Sequence, residues 1–179
     1  MINRILFAAL AGILLSACSQ KKDDNAAATK TADTLSYPYK ATYSSDVTVP
    51  SHPEYAQMVL KVWKSFETGQ IDAMKKYYAD TVTYDDGGHR FYGKSADLLK
   101  FAASDIVGLD SMRFDISMWQ SLHVNDKNED WVFIWARERR YPKKGKPDTS
   151  MMQEQWKIVK GRVAYFNRYS AKPIPGDKK

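Results

Sequence analysis

The feature that most constrains this chain is a change of period at Gly108. Upstream, Tyr55, Met58, Val59, Val62, Trp63 and Phe66 recur at i, i+3, i+4, i+7, i+8 and i+11, the stripe of an amphipathic helix. Ser51-His52-Pro53-Glu54 reads as a capping box before it, with Ser51 as N-cap and Glu54 reaching back, and Gly69 ends it. A shorter helix through Ile71, Met74, Tyr77 and Tyr78 runs to Asp80, and a third spans 96–107 behind a Ser95 cap. Between them the β-branched and aromatic run Thr81-Val82-Thr83-Tyr84 is a strand, turned by Asp86-Gly87-Gly88 into His89-Arg90-Phe91-Tyr92. Downstream of Gly108 the alternation is every second residue, over 111–125, 131–141, 150–160 and 162–170, an antiparallel meander with short loops. Helices, a strand pair, a helix and four long strands make an α+β order.

The N-terminus belongs to a different physics. Arg4 precedes an eleven-residue apolar run from Ile5 to Leu15, and small Ser16 and Ala17 lead into Cys18. Charge, short apolar stretch and small-residue site make a secretory signal peptide over residues 1–17. The run is too short for a spanning helix, which needs about 20 apolar residues. Cys18 is the one cysteine of the chain, so no internal disulfide forms. Leu15-Ser16-Ala17-Cys18 resembles the lipobox of bacterial lipoproteins; the plainer reading is an ordinary cleaved signal with Cys18 incidental. The resemblance implies a diacylglycerol on the thiol, cleavage before it, acylation of the new amino group, and hence a bilayer as partner. Ser19, where inner-membrane lipoproteins carry Asp, favours the outer membrane. Gln20-Lys21-Lys22-Asp23-Asp24 looks either like a surface-export signal or like the polar start of a linker.

From Cys18 to about Val49 the chain is mostly Ala, Thr, Ser, Lys and Asp, a flexible tether that buries too little to order itself, with Tyr37, Tyr39 and Tyr43 able to lie on the domain. Residues 50–173 are one domain's length, hold all five tryptophans and show no repeat; 174–179 are a polar tail. The whole chain carries 27 Lys plus Arg against 21 acids, and without Arg4 of the signal the excess falls from +6 to +5. Export removes such a chain from nucleic acid.

The order of elements resembles the nuclear transport factor 2-like superfamily, with its SnoaL-like and ketosteroid-isomerase-like branches. So do Thr68-Gly69-Gln70-Ile71-Asp72, Tyr78-Ala79-Asp80-Thr81-Val82 and Gly93 before the third helix. The resemblance implies a cone: a curved antiparallel sheet wrapped around three N-terminal helices, its open end often a ligand pocket, its outer sheet face often a homodimer contact. Members include isomerases, dehydratases, epoxide hydrolases and many non-catalytic binders, so the fold does not choose the function.

Strand alternation then assigns faces. A two-residue loop at Lys160-Gly161 pairs Val159 with Arg162 and puts Met152, Glu154, Trp156, Ile158, Val163, Tyr165, Asn167 and Tyr169 on one, inward face. Setting Trp135 opposite Trp156 brings Arg137 opposite Glu154, so aromatic and ionic pairs match together. In the long strand Met112, Phe114, Ile116, Met118, Leu122 and Val124 face inward, and Asp115, Trp119 and His123 outward. The expected ligand-binding wall is therefore Trp135, Arg137, Glu154, Trp156, Tyr165, Asn167 and Tyr169. Arg137 and Glu154 form either an internal ion pair or the polar end that orients a small molecule; an arginine-paired Glu154 stays ionised and low, which argues against catalysis.

Catalytic candidates are few. Glu154 and His89 are weak candidates for a base, and His89 beside its turn is equally a solvent-facing residue. No Ser-His-Asp set, phosphate loop, dinucleotide fingerprint or metal-ligand spacing occurs, so no cofactor and no metal are expected. Arg137, Arg139, Arg140, Lys143, Lys144 and Lys146 crowd one hairpin, opposed by Glu138 and Asp148: either a solvated loop tip or a surface for anionic headgroups or polysaccharide. The function expected is a membrane-anchored, exported module binding a small apolar or amphipathic molecule. The alternatives are a small isomerase, dehydratase or hydrolase in the same pocket, and a non-catalytic dimerising interaction module.

Overall fold

The periodic stripe at 55–66 and the alternation beyond Gly108 fold as their patterns dictate. The structure, a computed structural model, describes residues 38–173. The signal peptide, Cys18, Tyr37, most of the tether and the tail at 174–179 lie outside the described residues. Residues from Ala41 onward form one unit, to which everything below refers.

Helix α1 (Pro53–Glu67) buries Ala56, Val59, Val62 and Trp63 on its stripe. Its start differs from the capping box. Pro53 occupies the first turn, where its missing N–H costs nothing, so the N-cap moves to His52 in the left-handed region (φ 47°). Glu54 then meets the His52 ring rather than Ser51 (Oε1 to Nδ1, 2.9 Å), and the Ser51 N–H donates to the Ser121 carbonyl. Helix α2 (Ile71–Met74) is a single turn continued by a 3₁₀ turn at Lys75–Tyr77, and α3 (Ser95–Ile106) buries Leu98 and Leu99.

Seven strands form one sheet: β1 (Val47–Thr48), β2 (Tyr78–Asp85), β3 (Arg90–Lys94), β4 (Leu109–Val124), β5 (Glu129–Pro142), β6 (Asp148–Val159) and β7 (Arg162–Ala171). Their spatial order is β1-β4-β5-β6-β7-β2-β3, antiparallel except where β7 meets β2 in parallel. This is an α+β cone, a curved sheet whose inner face is covered by the three helices; Val132, Ile134, Ala136, Met152, Trp156, Ile158 and Val163 join the helical stripe in one core. Turn chemistry is local and obeyed: Lys160 and Gly161 both take positive φ in the β6–β7 hairpin, and the Asp86 carboxylate accepts from the N–H of Gly88 and His89 in the β2–β3 turn.

Register departs from the expected one in three places, and each departure changes a face. On β7 the bulge at Ala164 lets Ile158 pair with Val163 but Lys157 with Tyr165, so Phe166 and Arg168 turn inward and Tyr165, Asn167 and Tyr169 outward. On β4 the step between Ile116 and Met118 leaves Ser117 extra: Met112, Phe114 and Ile116 face the core as expected, whereas Met118 and Leu122 turn out and Trp119 and His123 turn in. On β5, Trp156 faces Val132 and Glu154 faces Ile134, while Trp135 meets Gln153 and Arg137 meets Met151. The inner face of β5 is thus the compact set Val132, Ile134 and Ala136, all fully buried, because α1 packs directly on it. Trp131, Phe133, Trp135 and Arg137 lie on the outer face.

The chain joins the sheet before Pro50. Tyr43 bonds Glu129 through its hydroxyl and sets its ring edge-on to Trp131 (6.3 Å), Asp46 and Thr48 bond Asn125, and β1 pairs with the end of β4. This entry point is at the β4–β5 turn, the far end of β5 from its junction with β6. Among the described residues no helix is long and apolar enough to cross a membrane.

Candidate functional site

Helices that cover only part of a curved sheet leave a space between them and its inner face. Here that space is a half-open cavity of about 80 Å³. One water needs roughly 10–15 Å³ measured this way, so the room suits a small molecule or one group of a larger one. Aromatic rings make its walls: Trp63, Phe66, Tyr78, Tyr84, Phe114, Trp156 and Phe166. Trp156 and Phe166 stack almost parallel (centroids 4.4 Å, 8°), and Tyr84 tilts on Phe166 at 4.7 Å.

One ion pair interrupts the aromatic wall. Glu154 of β6 is 1% exposed and directly opposite Arg168 of β7, whose Nε donates to its Oε1 at 2.8 Å. Trp156 Nε1 donates to the other oxygen at 3.1 Å. Burial pushes the Glu154 carboxyl above its ordinary value, with Arg168 and the indole pulling part of the way back. Arg168 stays a cation, strengthened by Glu154. Its side chain is 24% exposed and lines the cavity; its Nη groups find no acceptor among the described residues. Burial also raises the Tyr78 phenol, and pushes Tyr84 up to about 12, so both are neutral donors at neutral pH.

A second polar group sits at the opening. Asp105 of α3 lines the cavity and is gripped by both Nη atoms of Arg140 of β5 (3.0 and 2.8 Å). Arg140 Nε lies 3.0 Å from the buried Glu138, close enough for an ion contact though the carboxylate oxygen is not aligned to accept a hydrogen bond. Phe101, 57% exposed, borders the same opening.

Of the seven residues expected to form the wall, the structure places Glu154 and Trp156 at the cavity. Trp135, Arg137, Tyr165, Asn167 and Tyr169 stand on the outer face, through the shifted register of β5 and the bulge in β7. The Arg137–Glu154 pair is therefore corrected to Arg168–Glu154, and the expectation of a lowered Glu154 pKa is corrected with it: burial outweighs the partner and the shift is upward. His89 is exposed on the β2–β3 turn and does not line the cavity. His123 turns inward and bonds Asp130 (Nδ1 to Oδ1, 2.8 Å) beside His52, away from the cavity lining; among the described residues no three-ligand metal cluster forms. The site residues missed from sequence are Arg168, Phe166, Tyr78, Tyr84 and Asp105. A signal for the first two was present: Phe166 and Arg168 repeat, with the same spacing, the aromatic-and-charge pattern of Trp156 and Glu154.

The sequence matches no family model and no curated protein. Its architecture has many relatives among solved structures. A LEH-like epoxide hydrolase from M. tuberculosis superposes with a TM-score of 0.56 at 12% identity, covering 66% of this chain and 84% of that one. The fold is the NTF2-like cone. A SnoaL-like polyketide cyclase, so named provisionally, from Shewanella putrefaciens CN-32 gives 0.55 at 12%, covering 67% and 81%. A protein of ketosteroid isomerase-like fold from Catenulispora acidiphila DSM 44928, in complex with trimethylamine, gives 0.52 at 15%, covering 63% and 84%. Identities this low speak for the fold and leave the chemistry to the site.

Proposed function

We propose that the protein is an exported lipoprotein, acylated on Cys18 and held in the outer membrane at the cell surface, whose cone binds a small neutral amphipathic molecule. The anchor rests on Arg4, the apolar run and Leu15-Ser16-Ala17-Cys18; the outer membrane rests on Ser19, and the cell surface on Gln20-Lys21-Lys22-Asp23-Asp24. The observation that carries ligand binding is Arg168, held by Nε against Glu154 while its partly exposed side chain lines an aromatic cavity. Charge sets the ligand class. Both carboxyls of the lining are already paired, Asp105 with Arg140 and Glu154 with Arg168, so a full anion would be desolvated there against no net positive charge. A carbonyl, ether or hydroxyl oxygen accepts from Arg168 without that cost, its apolar body lying against Trp156 and Phe166.

Cyclohexanone and benzyl alcohol are suitable probes, each small, neutral and bearing one acceptor. Saturable quenching of tryptophan fluorescence in the wild type, weakened in Arg168→Met, supports the reading; no saturable response from either probe refutes it. Labelled palmitate entering the wild type and not Cys18→Ala tests the anchor, and external protease on intact cells tests surface display. The aromatic outer face, with half-buried Trp135 and exposed Tyr169, favours a homodimer, which sedimentation of the mature chain tests.

One observation favours a catalytic reading of the same pocket. A buried carboxyl with a raised pKa inside a cleft is what a general acid or base needs. Under it Glu154 serves a hydrolase or isomerase, and turnover of a small epoxide such as cyclohexene oxide is lost in Glu154→Gln. Turnover absent from the wild type, with probe binding intact, leaves the binder.

A further inference from the structure

The lysine cluster of the β5–β6 hairpin plays no part in the cavity's ion pairs, yet the fold places it on the cavity's rim. Lys143 donates its backbone N–H to the Gly108 carbonyl (3.0 Å) and its Nζ to the Val107 carbonyl (3.0 Å), seating the hairpin on the end of α3. Arg140 clamps Asp105 of the same helix end. Apolar and basic side chains are thereby brought to one edge. Phe101 borders the opening, Val107 just past the helix is 67% exposed, and Tyr141 is exposed on the adjoining strand. Lys144 and Lys146 stand exposed at the tip and take no acidic partner among the described residues. Nearby carboxylates are already engaged, Asp97 by Lys100, Asp105 by Arg140 and Asp148 by Lys172; Asp110 is the acid left at this edge.

We propose that this rim docks on an anionic phospholipid bilayer, its apolar side chains entering the headgroup layer and its lysines meeting phosphates. Two features together select this occupant. Lysines alone would serve any polyanion, but an acidic polysaccharide gives bare Val107 and Phe101 nowhere to go. Apolar side chains ringed by lysines are what an interfacial contact uses. The consequence is that the mouth of the cavity sits against the lipid surface. The surface belongs to the folded domain, so the inference stands apart from the acyl anchor and from the identity of the ligand.

The test uses the mature chain from Cys18 onward, prepared without acyl groups, co-sedimented with phosphatidylglycerol or phosphatidylcholine vesicles. Pelleting with the anionic vesicles that weakens with added salt is expected. Lys144→Gln/Lys146→Gln lowers the association on the order of tenfold, and Val107→Ser lowers it roughly three- to tenfold. Lys160→Gln, in the β6–β7 turn, leaves it unchanged. Unaltered thermal melts show that the variants are folded. No pelleting with phosphatidylglycerol, or pelleting unaffected by the double lysine variant, overturns the proposal. Retention on heparin with no effect of Val107→Ser assigns the surface to polysaccharide and overturns it equally.

Discussion

Replacing Glu154 by alanine removes the acceptor of two donors at once, Arg168 Nε at 2.8 Å and Trp156 Nε1 at 3.1 Å. Breaking a buried pair from one side costs about 3–5 kcal/mol, but Arg168 keeps 24% of its side chain exposed and so retains some water. Its stranded charge therefore costs about 2 kcal/mol, toward the solvent-screened end. The unmet indole N–H adds about 1 kcal/mol. Glu154→Ala should thus lose about 3 kcal/mol, a large share of the roughly 5–15 kcal/mol that holds a domain together. Arg168→Met strands the opposite charge, and Glu154, 1% exposed, has an escape that arginine lacks: it can bind a proton. That loss should be about 2–4 kcal/mol and should grow with pH. Glu154→Leu with Arg168→Met replaces the pair by packed apolar groups and should cost about 1 kcal/mol or less. Urea melts at neutral pH of wild type, Glu154→Leu, Arg168→Met and their double variant, the Glu154→Leu single stranding Arg168 as Glu154→Ala does, then give a coupling of at least about 2 kcal/mol. In a parallel cycle Arg137→Ala and Glu154→Ala should add within about 0.5 kcal/mol, since β5 presents Arg137 to the other face. Additive losses for Glu154 and Arg168, or strong coupling to Arg137 instead, would refute the register and the cavity wall built on it.

The remaining expectations follow from the same contacts. Because burial lifts the Glu154 carboxyl above 4.5, the native state holds on to that proton more strongly than the unfolded chain over the interval between this value and the folded pKa. Stability should fall as pH rises from that value through the folded pKa, and Glu154→Gln should flatten this part of the urea-midpoint profile relative to wild type. Phe166→Ala removes the ring stacked on Trp156 and should cost about 3–5 kcal/mol in a denaturant melt; under about 1 kcal/mol would place Phe166 outside the core. Deleting Ala164 takes away the extra residue of β7 and should turn Phe166 and Arg168 outward, with loss of the near-ultraviolet dichroism of Trp156 and of a cooperative melt. Tyr43→Ala frees the entry segment from Glu129 and Trp131. It should cost about 1 kcal/mol and open residues 41–48 to limited proteolysis, while an unchanged cleavage pattern would show that the segment is held by β1 alone.

What the residues by themselves determined was local: the stripe of α1, the Asp86-Gly87-Gly88 and Lys160-Gly161 turns, and the strands beyond Gly108. These are set by side-chain period and backbone preference within a few residues, which is why their order alone pointed to the cone. The inward face of β6 was legible too, since Met152, Glu154, Trp156 and Ile158 alternate with Gln153, Gln155 and Lys157. The faces of β5 and β7 were not. On β5 both alternating sets are apolar, Val132-Ile134-Ala136 and Trp131-Phe133-Trp135, and the choice fell to α1, which packs against the compact set and leaves the tryptophans outside. On β7 and β4 one extra residue, Ala164 or Ser117, reversed everything beyond it. A bulge leaves no mark on composition or period; it is favoured by what the strand must meet afterwards, here Trp156 waiting for Phe166 and Glu154 for Arg168. The sequence therefore contained both partners of the buried pair, and only the bulge of β7 and the register of β5 in the folded sheet decided which arginine Glu154 would find.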